Sequence, residues 1–206
     1  MNGTSVRRVV RAGSLRRYLA LMILVPLGYL FHVCVMPYLH DLLGVTPNLL
    51  YAVIAIVTVA YGRLQAFWVG LLYGLLLEIM LPSITFLSLG VYTVTSLFVS
   101  FPFADKSLQR LEMDRALNRK SRELPAWLRT VLCAMVNVFF YEVINIAYIY
   151  LDGSELTAAH FFRGLADVGL TGLLTLIILF PIRRMIFGKK VETRVLKNNP
   201  IRFGRK

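Results

Sequence analysis

The chain of 206 residues is 57% hydrophobic and only 17% charged, with a mean hydropathy of +0.66. These values exclude an ordinary soluble domain, because the apolar residues form blocks of about 18 or more, the length of membrane-spanning helices. The net charge of +12 indicates attraction to anionic lipid headgroups, chiefly at the C-terminal tail, and no module of aromatic and basic residues indicates nucleic-acid binding.

In chain order, the apolar blocks predict an all-α integral membrane protein with six transmembrane helices, at residues 18–36, 47–61, 62–81, 84–104, 125–151 and 157–187. Thr46 and Pro47 predict the start of the second helix, since threonine caps helices and proline suits a first turn. Pro82 separates the third helix from the fourth, and Pro26 predicts a kink in the first. We expect the first helix to be retained, because no small-residue cleavage site of a signal peptide follows it.

The segments outside the helices complete the predicted domain organisation. A basic N-terminus covers residues 1–17, a membrane domain covers residues 18–187, and a basic tail covers residues 188–206. Within the membrane domain, a charged cytoplasmic loop covers residues 105–124.

The distribution of Lys and Arg predicts the orientation of the helices. Five arginines precede the first helix, six cations lie in the loop after the fourth, and nine more lie between Arg183 and Lys206. The loops at the opposite ends, around Asp41, Pro82 and Asp152, contain no Lys or Arg. Cations concentrate on the cytoplasmic side, so both termini are predicted to be cytoplasmic. Cys34 and Cys133 both lie in apolar segments and indicate neither a disulfide nor a metal site.

Small and polar residues recur every three or four positions within the predicted helices, a spacing that places them on one helix face. In the third helix, Ala66, Gly70 and Gly74 predict a ridge that lets a neighbouring helix approach closely. The other stripes are Ser88, Tyr92, Ser96 and Ser100; Cys133, Asn137 and Tyr141; and His160, Arg163, Asp167 and Thr171.

The ionisable residues of the helices gather in the predicted outer half of the membrane. With Tyr92 they form a predicted intramembrane polar cluster of Glu78, Glu142, Arg163, Asp167, His32 and Tyr92. A charge facing lipid costs at least about 2.5 kcal/mol at the membrane centre, so these groups should face one another or water. A structural cluster is favoured over a polar cavity open to the outside, with Arg163, Tyr92 and His32 as the expected partners of Glu78. No residue pattern indicates a catalytic, cofactor or metal site, and we expect no enzyme.

A resemblance to a known family begins at Pro47. The segment reads PNLLYAVIAIVTVAYGRLQAFWVGLLYGLLLEIM, and LSLGVYTVTSLF follows a short turn. It resembles the central signature of the MreD family of rod shape-determining membrane proteins, which has a Pro-Asp-Leu-Leu opening, a basic turn, and a Gly-x-x-x-Gly run ending in an acid. Asn48 and Glu78 stand where the family usually has aspartate, and LPSITFL lacks the expected glycines.

The resemblance implies a non-enzymatic scaffold in the bacterial plasma membrane that serves cell elongation. Its implied partners are MreC and, through MreC, the actin-like MreB, RodZ and the RodA–transpeptidase complex. The implied fold is similar to the six-helix substrate-binding component of energy-coupling-factor vitamin transporters, which is the alternative function. That alternative favours an Ala-x-x-x-Ala face on the first helix, where this chain has Ala20 and Gly28 but no such pair.

Overall fold

A computed structural model describes residues 14–80, 86–103, 124–153, 155 and 157–187. The predicted cytoplasmic loop and basic tail lie outside these residues, apart from Leu124. The described residues form helices and no strand, which confirms the prediction of an all-α protein for this part of the chain. The helices are α1 Ser14–Leu43, α2 Leu49–Tyr61, α3 Arg63–Met80, α4 Leu87–Val94, α5 Ala126–Leu151 and α6 Ala158–Phe187. A π-helical turn, Thr95–Val99, and a 3-10 turn, Phe101–Phe103, follow α4.

Four of these helices, α1, α3, α5 and α6, are long and apolar enough to cross a membrane. The other two apolar segments, α2 and Leu87–Val99, are shorter. At about 1.5 Å per residue, the 13 residues of α2 extend over only about 20 Å, against a hydrocarbon core of about 30 Å. The described part of the chain is therefore a membrane-embedded helical bundle with four candidate spans.

Several predicted boundaries differ from the observed ones. The N-cap of α2 is Asn48 rather than Thr46, because the Asn48 side chain accepts the Tyr51 N–H and its own backbone stays extended. The first helix continues unbroken through Pro26 and Pro37 to Leu43. The ends of α2, α5 and α6 at Tyr61, Leu151 and Phe187 match the predicted ends.

The shortest of the six helices predicted from the sequence, α2, forms the centre of the bundle. Residues from Leu49 to Val59 are all buried, and α2 contacts α1, α3, α5 and α6. A helix that is hydrophobic on every face is expected in such a central position. The arrangement places the N-terminus of α2 among side chains of the surrounding helices.

The α3–α4 contact depends on two glycines of the small-residue ridge. A Cβ atom on Gly74 would lie 2.7 Å from the Leu89 Cα, and one on Gly70 would lie 2.8 Å from the Tyr92 carbonyl oxygen. Ala66, one turn earlier on the same face, is fully buried. The small residues therefore let the backbone of α3 lie directly against the backbone of α4.

Candidate functional site

Asn48 links three helices at the buried start of α2. Its backbone N–H donates to the Thr171 Oγ1 at 2.9 Å, and its side-chain Nδ2 donates to the Tyr92 hydroxyl at 2.7 Å. Its Oδ1 accepts the Tyr51 N–H at 3.4 Å. Since a backbone N–H only donates, the amide oxygen must face Tyr51 and the NH2 group must face Tyr92. One side chain thus caps α2 and holds it to α4, while the backbone holds it to α6.

Three residues of α6, spaced by four, contact the end of α1 and the segment that joins α1 to α2. The Arg163 Nη2 lies 3.3 Å from the His40 Nδ1, and the Asp167 Oδ1 accepts the Thr46 N–H at 2.7 Å. Thr171 accepts the Asn48 N–H one turn further along. We call Arg163, Asp167 and Thr171 the α6 ladder.

The α6 ladder satisfies the backbone of a non-helical segment inside the bundle. Pro47 has no N–H, and the N–H groups on either side of it are bonded to Asp167 and Thr171. Irregular backbone at membrane depth is tolerated only where its polar groups find partners within the protein. The predicted stripe on the sixth helix therefore has a clear structural use.

The ladder also sets the depth at which α2 begins. Thr171 follows Ala158, the first residue of α6, by thirteen residues, so Asn48 lies about 20 Å along α6. The N-terminus of α2 is accordingly inside the bundle, where its partial positive charge lies near the Asp167 carboxylate. Asp167 is only 4% exposed, so this carboxylate depends on the protein for its stabilisation.

Glu142 joins Arg163 and Asp167 in one electrostatic group. Its side chain packs against Gly164, and its carboxylate is close enough to interact with both Asp167 and Arg163. His40 completes this group through Arg163 and also acts on Asp167. His40 was missed because the first helix was predicted to end at Met36. The observed helix continues past it, and the eight-residue spacing from His32 could have indicated a shared face.

Three tyrosines form the apolar side of the Asn48 site. The rings of Tyr51 and Tyr92 are stacked, with centroids 4.5 Å apart and an interplanar angle of 5°. Tyr141 approaches both rings at centroid distances of 5.8 and 5.9 Å. Tyr51 was not singled out from the sequence, although it is the one aromatic residue within the aliphatic first turns of α2.

Glu78 has a different partner from those that the sequence predicted. Its Oε1 accepts the backbone N–H of Phe86 at 2.6 Å, and Phe86 has a φ of 64° immediately before α4. The N–H groups at the start of a helix lack partners within that helix, so a nearby carboxylate can satisfy one. Glu78 therefore joins the end of α3 to the start of α4 rather than contacting Arg163, Tyr92 or His32.

His32 also lies apart from the other predicted cluster residues. It shares the inner face of α1 with Gly28 and Met36, one turn away on either side. Gly28 approaches Val53 and the Tyr73 hydroxyl closely. Within the described part of the chain, the buried His32 Nδ1 has no hydrogen-bond partner. The predicted cluster thus separates into the electrostatic group of Glu142, Arg163 and Asp167, the Asn48–Tyr92 link, Glu78 and His32.

The other polar stripes bond mainly within the protein. Asn137 donates to the Cys133 carbonyl at 2.7 Å and to the Ser100 hydroxyl at 3.3 Å. His160 bonds to Thr157 at the start of α6, with 2.8 Å between the Nδ1 and the Oγ1. Among the described residues, no group of three or more His, Cys, Asp or Glu side chains could hold a metal ion.

Comparison with protein-family models, with curated proteins and with solved structures finds no match for the chain.

Proposed function

We propose that the chain is a non-enzymatic membrane scaffold of the bacterial cell-elongation machinery, which links MreC and MreB to the peptidoglycan synthases. The observation that carries the proposal is the MreD-like motif between Pro47 and Glu78. Its distinctive residues make the contacts between helices, through the cap and side-chain bond of Asn48, the close approach of Gly70 and Gly74, and the bond from Glu78 to Phe86.

The use of the polar residues also supports a scaffold. Asn48, Asp167 and Thr171 bond to other parts of the same chain, and the outer surface of the bundle exposes many large apolar side chains. A helical bundle with such a surface offers sites for transmembrane segments of partners. We propose direct contact with MreC, and contact with MreB, RodZ and the RodA–transpeptidase complex through it.

The proposed topology has six spans, with both termini in the cytoplasm. The Lys and Arg asymmetry supports it. The two shorter segments, α2 and Leu87–Val99, would complete their crossings with residues beyond their helical ends. In this topology the basic tail meets anionic lipids of the inner leaflet.

Cysteine labelling tests the orientation at the two ends of α5. Cys34 and Cys133 are first replaced, and a single cysteine is then introduced as Asp152→Cys or Leu124→Cys, both at exposed positions. An impermeant thiol reagent added to intact cells should label the first variant only, and permeabilised cells should show labelling of both. Labelling of Leu124→Cys alone in intact cells would invert the proposed orientation.

Depletion and co-purification test the scaffold function. Loss of the chain from a rod-shaped host should produce rounded cells, and a tagged chain should recover MreC from detergent extracts. As a control, a copy of the chain that carries Asn48→Asp should restore the rod shape to the depleted cells. Aspartate can accept both the Tyr51 N–H and the Tyr92 hydroxyl proton, so the contacts of Asn48 are kept. Cells that keep their shape but lose uptake of a vitamin would instead support the transporter component.

A further inference from the structure

An apolar groove runs along the outside of the bundle between α1 and α6. Its volume is about 280 Å³, and its lining includes Leu39, Pro47, Leu170, Leu173, Leu174 and Ile177. The side chains of Leu173 and Ile177 are 59% and 63% exposed, so the groove opens to the surroundings of the bundle. Ligand pockets begin at about 300 Å³, so the groove suits a single hydrocarbon chain better than a larger molecule.

The backbone beside the groove offers no free N–H group. Pro47 lacks one, and the N–H groups of Thr46 and Asn48 are turned to Asp167 and Thr171. The described lining of the groove exposes apolar surface alone, so water there would find no hydrogen-bond partner, whereas hydrocarbon needs none. The same bonds that hold the α1–α2 segment in place therefore leave a purely apolar surface outside it.

A cation lies at one end of the groove. Arg163 precedes Leu170 by seven residues, or two helical turns, so both lie on one face of α6. His40, which the Arg163 Nη2 approaches at 3.3 Å, directly follows the lining residue Leu39. The Arg163–His40 contact therefore lies next to the lining residues, on the side toward the start of α6.

Arg163 has hydrogen-bonding capacity that its neighbours leave unused. Within the described part of the chain, its hydrogen-bond contact is the one to the His40 ring, whereas a guanidinium carries five N–H donors. The Glu142 and Asp167 carboxylates act on Arg163 electrostatically. Neither accepts a hydrogen bond from Arg163 in the described part of the chain, so the guanidinium N–H groups stay available. Arg163 itself is exposed, so an anion can reach it from outside the bundle.

We propose that this groove binds an anionic phospholipid, with one acyl chain between α1 and α6 and the phosphodiester held by Arg163. An arginine matches phosphate oxygens with two parallel N–H bonds, and a membrane cation requires such a partner or water. The groove and the cation are collinear along α6, as a lipid's chain and headgroup require. This site does not depend on the identity of any protein partner.

Native mass spectrometry of the full chain, stripped of lipid in a mild detergent, tests the site. Phosphatidylglycerol and phosphatidylcholine with the same acyl chains are titrated separately. The wild type should bind the first phosphatidylglycerol about tenfold more tightly, the factor expected for one charge-assisted contact. Arg163→Gln should remove this preference, and Leu173→Trp should weaken the binding of both lipids by filling the groove.

Two matched variants control for general effects of charge and bulk. Arg63→Gln removes an exposed cation at the start of α3, and Leu165→Trp enlarges an exposed residue of α6 outside the lining. Both should bind phosphatidylglycerol as the wild type does. If Arg163→Gln does not fold, Arg163→Lys should retain the preference, and Leu173→Trp tests the groove independently.

Four results would overturn the proposal. The first is equal affinity of the wild type for the two lipids. The second is an equal loss of the preference for phosphatidylglycerol in Arg63→Gln and Arg163→Gln. The third is unchanged lipid binding by Leu173→Trp. The fourth is a dimer that excludes lipid and disappears in Leu173→Trp, which would assign the groove to a second copy of the chain.

Discussion

Replacing Gly74 by leucine is expected to abolish accumulation of the folded protein. A Cβ atom at this position would lie 2.7 Å from the Leu89 Cα and 3.1 Å from the Ser88 carbonyl oxygen. Both are backbone atoms that cannot rotate away, so α3 and α4 must separate. Overpacking typically costs about 1–3 kcal/mol and occasionally more. A leucine side chain forced against backbone atoms should destabilise the protein by an amount at the upper end of this range. Gly74→Ala should lower the thermal midpoint measurably in detergent.

Gly90 provides the control on the partner helix. A Cβ atom at Gly90 of α4 would meet nothing within 4 Å. Gly90→Ala should therefore leave the thermal midpoint unchanged or raise it slightly, since alanine is the better helix former. Fluorescence-detected size-exclusion chromatography after heating measures both variants. A wild-type midpoint for Gly74→Leu would contradict the close approach of α3 and α4.

Replacing Asp167 by leucine is expected to detach the α1–α2 segment from α6. The substitution leaves the Thr46 N–H without its acceptor and removes a negative charge beside Arg163 and the N-terminus of α2. An orphaned buried donor alone costs about 1–3 kcal/mol, and the unbalanced charge adds to this loss. The thermal midpoint should fall strongly. Asp167→Asn should recover part of the loss, because its amide oxygen can still accept the Thr46 N–H.

Substitutions of two threonines of α6 distinguish the loss of the Asn48–Thr171 hydrogen bond from the general effect of removing a buried hydroxyl. Thr171 and Thr175 are both fully buried and one turn apart. Thr171 accepts the Asn48 N–H, whereas Thr175 donates to the Thr171 carbonyl within its own helix. Thr171→Val should lower the thermal midpoint and Thr175→Val should change it little. Equal effects of the two substitutions would show that the bond from Asn48 contributes nothing to stability.

The α6 ladder gives a physical reason for polar residues in this otherwise apolar protein. The chain between Leu43 and Leu49 is not helical, yet at Asn48 it reaches about 20 Å along α6. The N–H groups of Thr46 and Asn48 require acceptors there, and Asp167 and Thr171 supply them. Asn48 then connects this segment to Tyr92 of α4. Polar residues at this depth hold α2 at the centre of the bundle.

The sequence by itself determined the helical, membrane-embedded character of the protein and the ends of several helices. Apolar blocks and turn residues act locally, so they predicted the helix ends at Tyr61, Leu151 and Phe187. The four-residue spacing also placed Gly70 with Gly74, and Arg163 with Asp167, on shared faces, because this periodicity belongs to any helix.

Only the tertiary structure decided which of these faces meet. A sequence pattern contains neither the rotation nor the vertical offset of one helix relative to another. Since α2 begins deep within the bundle, Asp167 and Thr171 meet the backbone of Thr46 and Asn48 rather than other charged side chains. Glu78, two residues before the end of α3, instead accepts the Phe86 N–H at the start of α4.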